Sequence, residues 1–281
     1  MTKRTFLRFP SFLLKAVTLS YDDGVSQDYR LIDIMKKNGL KGTFNINSGR
    51  IGTQRQGSNR RFICADEIEK LYIESGNEVA VHGEYHYSLD TVSLAVATNE
   101  VIADRKNLEK LLTRRITGMA YANGAYNDDV VRILEDCGIE YARTVTVTGG
   151  FEIPTDWLRL AGTCRHRDPK LMEYAKEFIE AKAPSYMWAN RPKLFYLWGH
   201  SYEFDDDNNW NVIEEFCEYV GNRDDIWYAT NGEIFNYVQA YDRLKYSTDG
   251  KIIYNPSAID VYLCYFGQNL LVKAGETVKI D

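Results

Sequence analysis

The chain has 281 residues, of which 44% are hydrophobic and 26% are charged, and its formal net charge is −6. This length suits one large domain or two small ones. The acidic balance offers no basic face for nucleic acid, and no apolar run approaches the roughly 20 residues of a membrane-spanning helix. We therefore expect neither nucleic acid nor a membrane among its partners.

The start of the chain and its cysteines bear on the cellular compartment. Residues 1–15 carry basic side chains but only a short apolar cluster at 12–14, and no small-residue cleavage site follows. We therefore expect no secretory signal and a cytoplasmic protein. Five dispersed cysteines without a C-x-x-C pair indicate free thiols in a reducing compartment: Cys64, Cys137, Cys164, Cys217 and Cys264.

Short strand-like runs alternate along the chain with longer runs of helical spacing. In chain order the predicted strands are residues 16–21, 41–46, 78–81, 116–121, 141–147, 157–162, 194–198 and 226–229. The predicted helices are residues 26–38, 65–75, 93–112, 168–182, 210–221 and 231–244. A further helix is predicted between Asn127, which caps it, and Gly138, which closes it. Strands separated by helices pair in parallel, and seven or eight such units favour a (β/α) barrel over an open sheet.

The last part of the chain has a different pattern. Residues 251–254, 258–266 and 269–273 are strand-like and are joined by turns rather than helices. We predict a small antiparallel β appendage here. The predicted organisation is a barrel over residues 1–245 and a β-rich extension over residues 246–281, packed on the same domain.

Carboxylates and imidazoles follow several predicted strands at the point where each strand ends. Asp22 and Asp23 follow the first strand, His82 follows the third, His86 lies four residues further on, and His200 follows a late strand. The carboxyl ends of barrel strands share one face, so these side chains can converge. One carboxylate and two imidazoles can hold a divalent metal, and a second carboxylate beside them makes a water-activating site. The pattern indicates a hydrolase.

Four short motifs carry a family resemblance. Residues 20–24 read Ser-Tyr-Asp-Asp-Gly, residues 82–86 read His-Gly-Glu-Tyr-His, residues 120–124 read Ala-Tyr-Ala-Asn-Gly, and residues 198–200 read Trp-Gly-His. In this order they resemble the motifs of the polysaccharide deacetylases, the NodB-homology group of carbohydrate esterases (family 4). The resemblance covers roughly residues 15–235 and implies a distorted (β/α) barrel of seven to eight strands.

The resemblance also implies a reaction and roles. The reaction would be metal-dependent hydrolysis of the acetamido group of an N-acetylated sugar, oligosaccharide or polysaccharide to acetate and amine. Asp23, His82 and His86 would bind one divalent metal, zinc in the first place, with cobalt, nickel, iron or manganese as alternatives. Asp22 would be the general base towards water, and His200 would protonate the departing amine.

The resemblance implies a substrate-binding set as well. A backbone N–H near Asn123 would stabilise the oxyanion. The further candidates are aromatic and polar side chains near the motifs: Asn123, Tyr126, Asp156, Trp157, Trp198 and Tyr202. His166, which follows a predicted strand, is interpreted as a surface histidine.

The chain departs from the family pattern at three of the motifs. Gly83 stands where the family usually has serine or threonine after the first histidine, and Trp198 stands where it has leucine. The third motif lacks the arginine that orients the base aspartate. Arg143 or Arg165 could take its place from another strand end.

Two other functions compete with the deacetylase. The altered third motif and the supply of 20 tyrosines and five tryptophans suit a carbohydrate-binding protein on a decayed enzyme scaffold. Hydrolysis of a non-sugar C–N bond would use the same metal chemistry. The choice between N- and O-acetyl groups, the role of residues 246–281 and the oligomeric state stay open.

Overall fold

The computed structural model describes residues 5–55, 57, 60–181 and 191–280. The strands in this part of the chain are β1 Thr5–Arg8, β2 Lys15–Asp23, β3 Gly42–Ile46, β4 Glu78–Val81, β5 Gly118–Ala120, β6 Tyr141–Val147, β7 Leu160–Gly162, β8 Cys164–Arg165, β9 Lys193–Gly199, β10 Ile226–Tyr228, β11 Lys245–Tyr246, β12 Ile252–Tyr254, β13 Val261–Tyr265, β14 Gln268–Val272 and β15 Thr277–Lys279. Its α-helices are α1 Asp28–Lys37, α2 Ala65–Ile68, α3 Leu94–Leu112, α4 Asp128–Asp136, α5 Leu171–Glu180, α6 Glu203–Asp206, α7 Asn211–Val220 and α8 Asn231–Asp242.

The main sheet is parallel and closes on itself. Its strand order is β7-β6-β5-β4-β3-β2-β9-β8, and β10 pairs with the first part of β2. β7 pairs with β6 while β8 pairs with β9, and only Thr163 separates β7 from β8. This short segment therefore completes the barrel between β6 and β9. The predicted distorted (β/α) barrel is confirmed.

Helix α4 forms where the local sequence supplies both a cap and an apolar face. In α4 the Asn127 side chain accepts a hydrogen bond from the Val130 N–H, and Asp128 and Asp129 lie in the positively polarised first turn. Its buried residues are Val130, Val131, Ile133 and Leu134, and Gly138 follows the helix with a φ of 69°. The predicted cap and stop of this helix are both present.

Several predicted boundaries differ from the observed ones. The first half of the predicted strand 157–162 is a 3₁₀ turn, because the Asp156 side chain accepts a hydrogen bond from the Leu158 N–H and starts the turn. The predicted helix 65–75 is α2 followed by a π-helical turn over Glu69–Ile73. The predicted helix 168–182 corresponds to α5, Leu171–Glu180, and position 182 lies outside the described residues.

The C-terminal extension forms two antiparallel sheets, as its alternating pattern predicts. One has the order β1-β13-β14 and the other β11-β12-β15. The participation of β1, from the other end of the chain, was not predicted. The extension also contacts the barrel through α8, because the Tyr237 hydroxyl accepts from the Tyr262 N–H and donates to the Arg8 carbonyl.

Among the described residues, no helix combines the length and the apolar character that crossing a bilayer requires.

Candidate functional site

The carboxyl ends of the barrel strands surround a cavity of about 670 Å³. Its walls include the five residues that the sequence singled out for chemistry: Asp22, Asp23, His82, His86 and His200. Asp22 and Asp23 end β2, His82 follows β4, and His200 follows β9. The parallel barrel therefore brings together side chains that lie far apart in the sequence.

Asp23, His82 and His86 form a compact cluster of possible metal ligands. Asp23 Oδ1 lies 3.7 Å from His82 Nε2 and 3.5 Å from His86 Nε2. Neighbouring ligand atoms of a tetrahedral zinc site are about 3.4 Å apart when the bonds are about 2.1 Å long. The spacing of the three atoms thus suits one small divalent cation.

The hydrogen bonding of the cluster also fits a cation. His82 Nδ1 lies 2.8 Å from the Ala120 carbonyl oxygen, which accepts a hydrogen bond from Nδ1–H and leaves the Nε2 lone pair facing Asp23. His82 Nε2 and Asp23 Oδ1 are buried without a hydrogen-bond partner among the described residues. Leaving such atoms unsatisfied is costly, and a bound metal would satisfy both.

His86 is held in the protonation state that a ligand needs. Burial, with a further contribution from neighbouring His82, lowers the pKa of His86 to about 4. The imidazole is therefore neutral near pH 7, which is the metal-binding form.

Gly83 gives the loop between the two histidines its shape. Its φ is 80°, a left-handed conformation that glycine adopts without strain, and an added Cβ would lie 3.2 Å from Glu100 Oε2. That carboxylate oxygen accepts a hydrogen bond from the Tyr85 N–H. The departure from serine or threonine at this position therefore lets buried Glu100 support the loop.

Asp22 lies beside the ligand cluster in a network of its own. Its Oδ1 accepts a hydrogen bond of 2.9 Å from Asn45 Nδ2, and its Oδ2 accepts one from Arg143. Burial alone would raise the pKa of Asp22, but the charge of Arg143, together with His82, His200 and the hydrogen bond from Arg143, outweighs burial and holds the pKa well below its ordinary value. Asp22 is therefore ionised at neutral pH.

Arg143, rather than Arg165, is therefore the arginine that contacts the first-motif aspartate. It is 1% exposed, and its guanidinium lies 4.6 Å from the centre of the Trp198 ring. Arg165 lies 5.3 Å from the same ring but pairs with Glu203 instead. Both guanidinium groups thus lie near the Trp198 ring, and each has its own carboxylate.

His200 lies between two carboxylates. Its Nε2 is 3.7 Å from Asp22 Oδ2, and its Nδ1 is 3.5 Å from Glu203 Oε2. Burial lowers the pKa of His200, but Glu203 and Asp22 together raise it above its ordinary value. This imidazole is poised to hold a proton near neutral pH.

Glu203 is the centre of a buried charge cluster. Its side chain contacts Arg165, Arg167 and His166 as well as His200. Burial would raise its pKa, but these partners hold the pKa well below its ordinary value. The carboxylate is therefore a fixed negative charge behind the His200 ring.

His166 is not a surface histidine, and that interpretation is wrong. It is 2% exposed, its Nε2 lies 3.1 Å from Glu203 Oε2, and its ring lies 4.2 Å from that of Phe204. A Cβ added at Gly199 would lie 2.0 Å from His166 Nδ1, so only glycine fits at that point of β9. The short helix α6, which was not predicted, covers the ring.

The candidate substrate-binding residues divide into two groups. Asn123, Trp198 and Tyr202 line the cavity. The other three are absent from its described lining: Tyr126, Asp156 and Trp157.

Each of these three residues contacts other parts of the protein. Tyr126 stacks on Tyr121 with ring centres 4.8 Å apart. The Asp156 carboxylate accepts from the Leu158 N–H and from Arg159. Trp157 packs edge-on against Phe235 at 5.2 Å.

Sequence reasoning missed some cavity residues altogether. Arg50, Arg55 and Val145 line the cavity but belong to no motif. Asn45, which binds Asp22, occupies the same register position on β3 as Asp22 on β2. The pairing of β2 with β3 identifies Asn45 as a neighbour of Asp22, and the sequence alone does not show this pairing. Glu203 follows His200 closely in the sequence, but its contact with His200 was not predicted.

Comparison with known proteins gives one family match. Residues 13–142, slightly less than half of the chain, match the model of the polysaccharide deacetylase family. The match includes Asp22, Asp23, His82 and His86, whereas His200 lies beyond it. No curated protein matches the chain.

Solved structures support the fold assignment. A putative polysaccharide deacetylase from Mycobacterium smegmatis superposes with a TM-score of 0.57 at 16% identity, covering 84% of this chain and 94% of that one. The Streptococcus pyogenes deacetylase PplD, solved with acetate, gives 0.42 at 24% identity, and the match covers 46% of this chain and 55% of that one. A Bacillus anthracis protein described as a CE4 family pseudoenzyme gives 0.48 at 14% identity, covering 82% and 68%. The first similarity identifies the fold.

Proposed function

We propose that this chain, which belongs to the polysaccharide deacetylase family through residues 13–142, is a metal-dependent hydrolase of the acetamido group of an N-acetylated sugar, oligosaccharide or polysaccharide. The observation that carries the proposal is a buried cluster of unpartnered ligand atoms flanked by a carboxylate and an imidazole in one cavity. Acetate and a free amine would be the products.

Asp23, His82 and His86 would hold the metal. Two imidazoles and one carboxylate suit zinc, and also cobalt, nickel, iron or manganese. When bound, a divalent metal makes water more acidic and polarises the acetyl carbonyl. His82 is oriented for this role by the Ala120 carbonyl oxygen.

Asp22 would be the general base. Its Oδ2 lies 4.0 Å from His82 Nε2, so the carboxylate borders the proposed metal position without belonging to the ligand cluster. Arg143 keeps it ionised and Asn45 fixes its orientation. A carboxylate held in this way can accept the proton of the attacking water.

His200 would be the general acid. The carboxylate of Glu203 faces Nδ1, which leaves Nε2 directed at the same space as Asp22. The raised pKa of His200 keeps a proton available for the amine as the C–N bond breaks. Within one cavity, the base would thus act on the attacking water and the acid on the departing amine.

The turn after β5 would supply the oxyanion contact. Asn123 has a φ of 57° in a tight turn, and its side chain donates a hydrogen bond to the Ser88 hydroxyl. This contact holds the turn at the cavity wall, where the backbone N–H of Asn123 would face the developing negative oxygen. Replacement of the family's side chains in this motif therefore does not remove the donor.

The test is acetate release from a panel of N- and O-acetylated sugars by protein that is stripped of metal and then reloaded with zinc, cobalt or nickel. We expect release only from reloaded protein and only from acetylated sugars. Metal-dependent cleavage of small amides without release from any sugar would instead support the non-sugar C–N hydrolase. Sugar binding without turnover would support the decayed binding protein.

Glu203→Gln should alter the pH dependence of the reaction. Removing the negative charge beside Nδ1 lowers the pKa of His200, so the proton of the general acid is lost at lower pH. We expect the alkaline limb of the kcat profile to move down by about one pH unit, since an opposite charge at this distance shifts a pKa by about that amount or more.

The control for this prediction is Glu215→Gln, which changes an exposed carboxylate of α7. It should leave the pH profile unchanged. An unchanged alkaline limb in a folded Glu203→Gln protein would show that Glu203 does not act on His200.

A further inference from the structure

One loop of the cavity wall is strongly basic although the chain is acidic. Residues 48–65 contain Arg50, Arg55, Arg60 and Arg61 and no aspartate or glutamate, whereas the whole chain has a net charge of −6. This segment connects β3 to α2, and its residues Arg50, Arg55 and Phe62 line the cavity that contains the proposed metal ligands.

Two of the four arginines have carboxylate partners. Arg60 pairs with Asp206, and its guanidinium lies 3.6 Å from the centre of the Tyr202 ring. Arg61 pairs with Glu67 at 2.8 Å. These contacts fasten the loop to α6 and α2.

The other two arginines face the cavity. Arg50 donates to the Tyr85 carbonyl at 2.8 Å and lies over the Phe62 ring, and Arg55 is exposed. Among the described residues, neither has a carboxylate within ion-pair distance, yet both line the cavity. Their charges are available to a ligand.

The acidic residues of the cavity do not cancel these charges. Asp22 pairs with Arg143, and Glu203 pairs with Arg165 and Arg167. Asp23 would be a metal ligand. The cavity therefore has a surplus of positive charge on the side of the basic loop, and a bound divalent cation would add to it.

The base of the loop is held in place by the backbone. The Phe62 N–H donates to the Thr53 carbonyl at 2.9 Å, which joins the two arms. The Ser26 N–H donates to Arg61 and the Ile63 N–H to Gly24, which joins the loop to the residues after β2. Little ordering of these anchored arms would be required when a ligand binds.

We propose that Arg50 and Arg55 form a subsite for an anionic substituent, a carboxylate or a phosphate, on the acetylated sugar. A planar guanidinium binds either group through two parallel hydrogen bonds. The inference rests on the proposed function, because it assigns a substrate class to the same cavity. The preferred substrate is an acidic acetylated sugar rather than a neutral one.

Calorimetry on the full chain tests the subsite with three probes: N-acetylglucosamine, its 6-phosphate, and N-acetylmuramic acid, which carries a carboxylate. We expect at least one anionic probe to bind about tenfold more tightly than the neutral one, with the advantage shrinking at high salt. The phosphate and carboxylate arms identify which anion is preferred.

Variants locate the effect. Arg55→Gln and Arg50→Gln should each reduce the preference for the anionic probe, whereas Arg114→Gln, an exposed arginine outside the cavity lining, should leave it unchanged. Thermal melting verifies that each variant is folded. Absence of any anion preference in the wild type, or equal preference in all variants, would overturn the subsite.

Acetate release from the same probes separates this inference from the proposed function. Release from neutral and acidic sugars at equal efficiency, with equal binding, overturns the subsite and leaves the deacetylase standing. Anion preference without release from any acetylated sugar supports the subsite and contradicts the deacetylase.

Discussion

Asp22→Asn should lower kcat for acetate release about 10³-fold while the protein still binds metal, because general base catalysis contributes on the order of 10²- to 10⁴-fold. The amide oxygen can still accept the hydrogen bond from Asn45, but the amide cannot take a proton from water. Asp22 lies outside the cluster of Asp23, His82 and His86, so the ligand set is retained. Steady-state kinetics together with metal analysis measures both effects.

The matched control is Asp33→Asn, which changes an exposed carboxylate on α1. It should have wild-type kinetics. More than about a tenth of wild-type activity in a metal-loaded Asp22→Asn protein would be incompatible with a general-base contribution of at least about 10²-fold from Asp22.

Arg143→Gln should have the second largest effect, this time on stability as well as on rate. It leaves the buried Asp22 charge without its cationic partner, and breaking a buried ion pair in this way costs about 3–5 kcal/mol. The pKa of Asp22 rises, since burial then opposes ionisation without the arginine. The acidic limb of the rate profile should therefore move to higher pH.

The stability effect has a defined pH dependence. In the wild type, the lowered pKa of Asp22 contributes stability above the ordinary carboxyl pKa, and that contribution is lost as the pH falls through the folded-state pKa. The difference in unfolding free energy between wild type and Arg143→Gln should consequently shrink as the solution becomes acidic. Urea denaturation over a pH series measures it.

Arg165→Gln is the comparison that distinguishes the two arginines. Arg165 has a side chain 34% exposed and contacts Glu203 rather than Asp22. Its loss should cost less stability and should leave the acidic limb in place. Equal acidic-limb shifts in the two variants would contradict a specific Arg143–Asp22 pair.

The parts of the fold that depend on local sequence were predictable. Helix α4 illustrates this, because its cap at Asn127, its apolar face and its stop at Gly138 all lie within one short segment. The positions of Asp22, His82 and His200 in one cavity were predictable too, since parallel strands in a barrel end at one face.

The parts that depend on distant pairing were not predictable. Arg143, and not Arg165, contacts Asp22 because of the register of β6 within the closed barrel. His166 is buried because α6, from a distant part of the chain, packs Phe204 against its ring. Asp156 resembles a motif carboxylate in sequence, yet the turn it starts keeps it with Arg159 instead.

Zinc titration of the metal-free protein and of His86→Ala tests the central claim most directly, because the proposed function depends on one metal held by Asp23, His82 and His86. We predict one zinc ion per wild-type chain. The zinc affinity of His86→Ala should be at least about a hundredfold weaker than that of the wild type. Loss of a residue that only hydrogen-bonds to a metal ligand already lowers metal affinity by about 10- to 100-fold. Wild-type protein that takes up no divalent metal, or His86→Ala that keeps metal-dependent turnover, would contradict it.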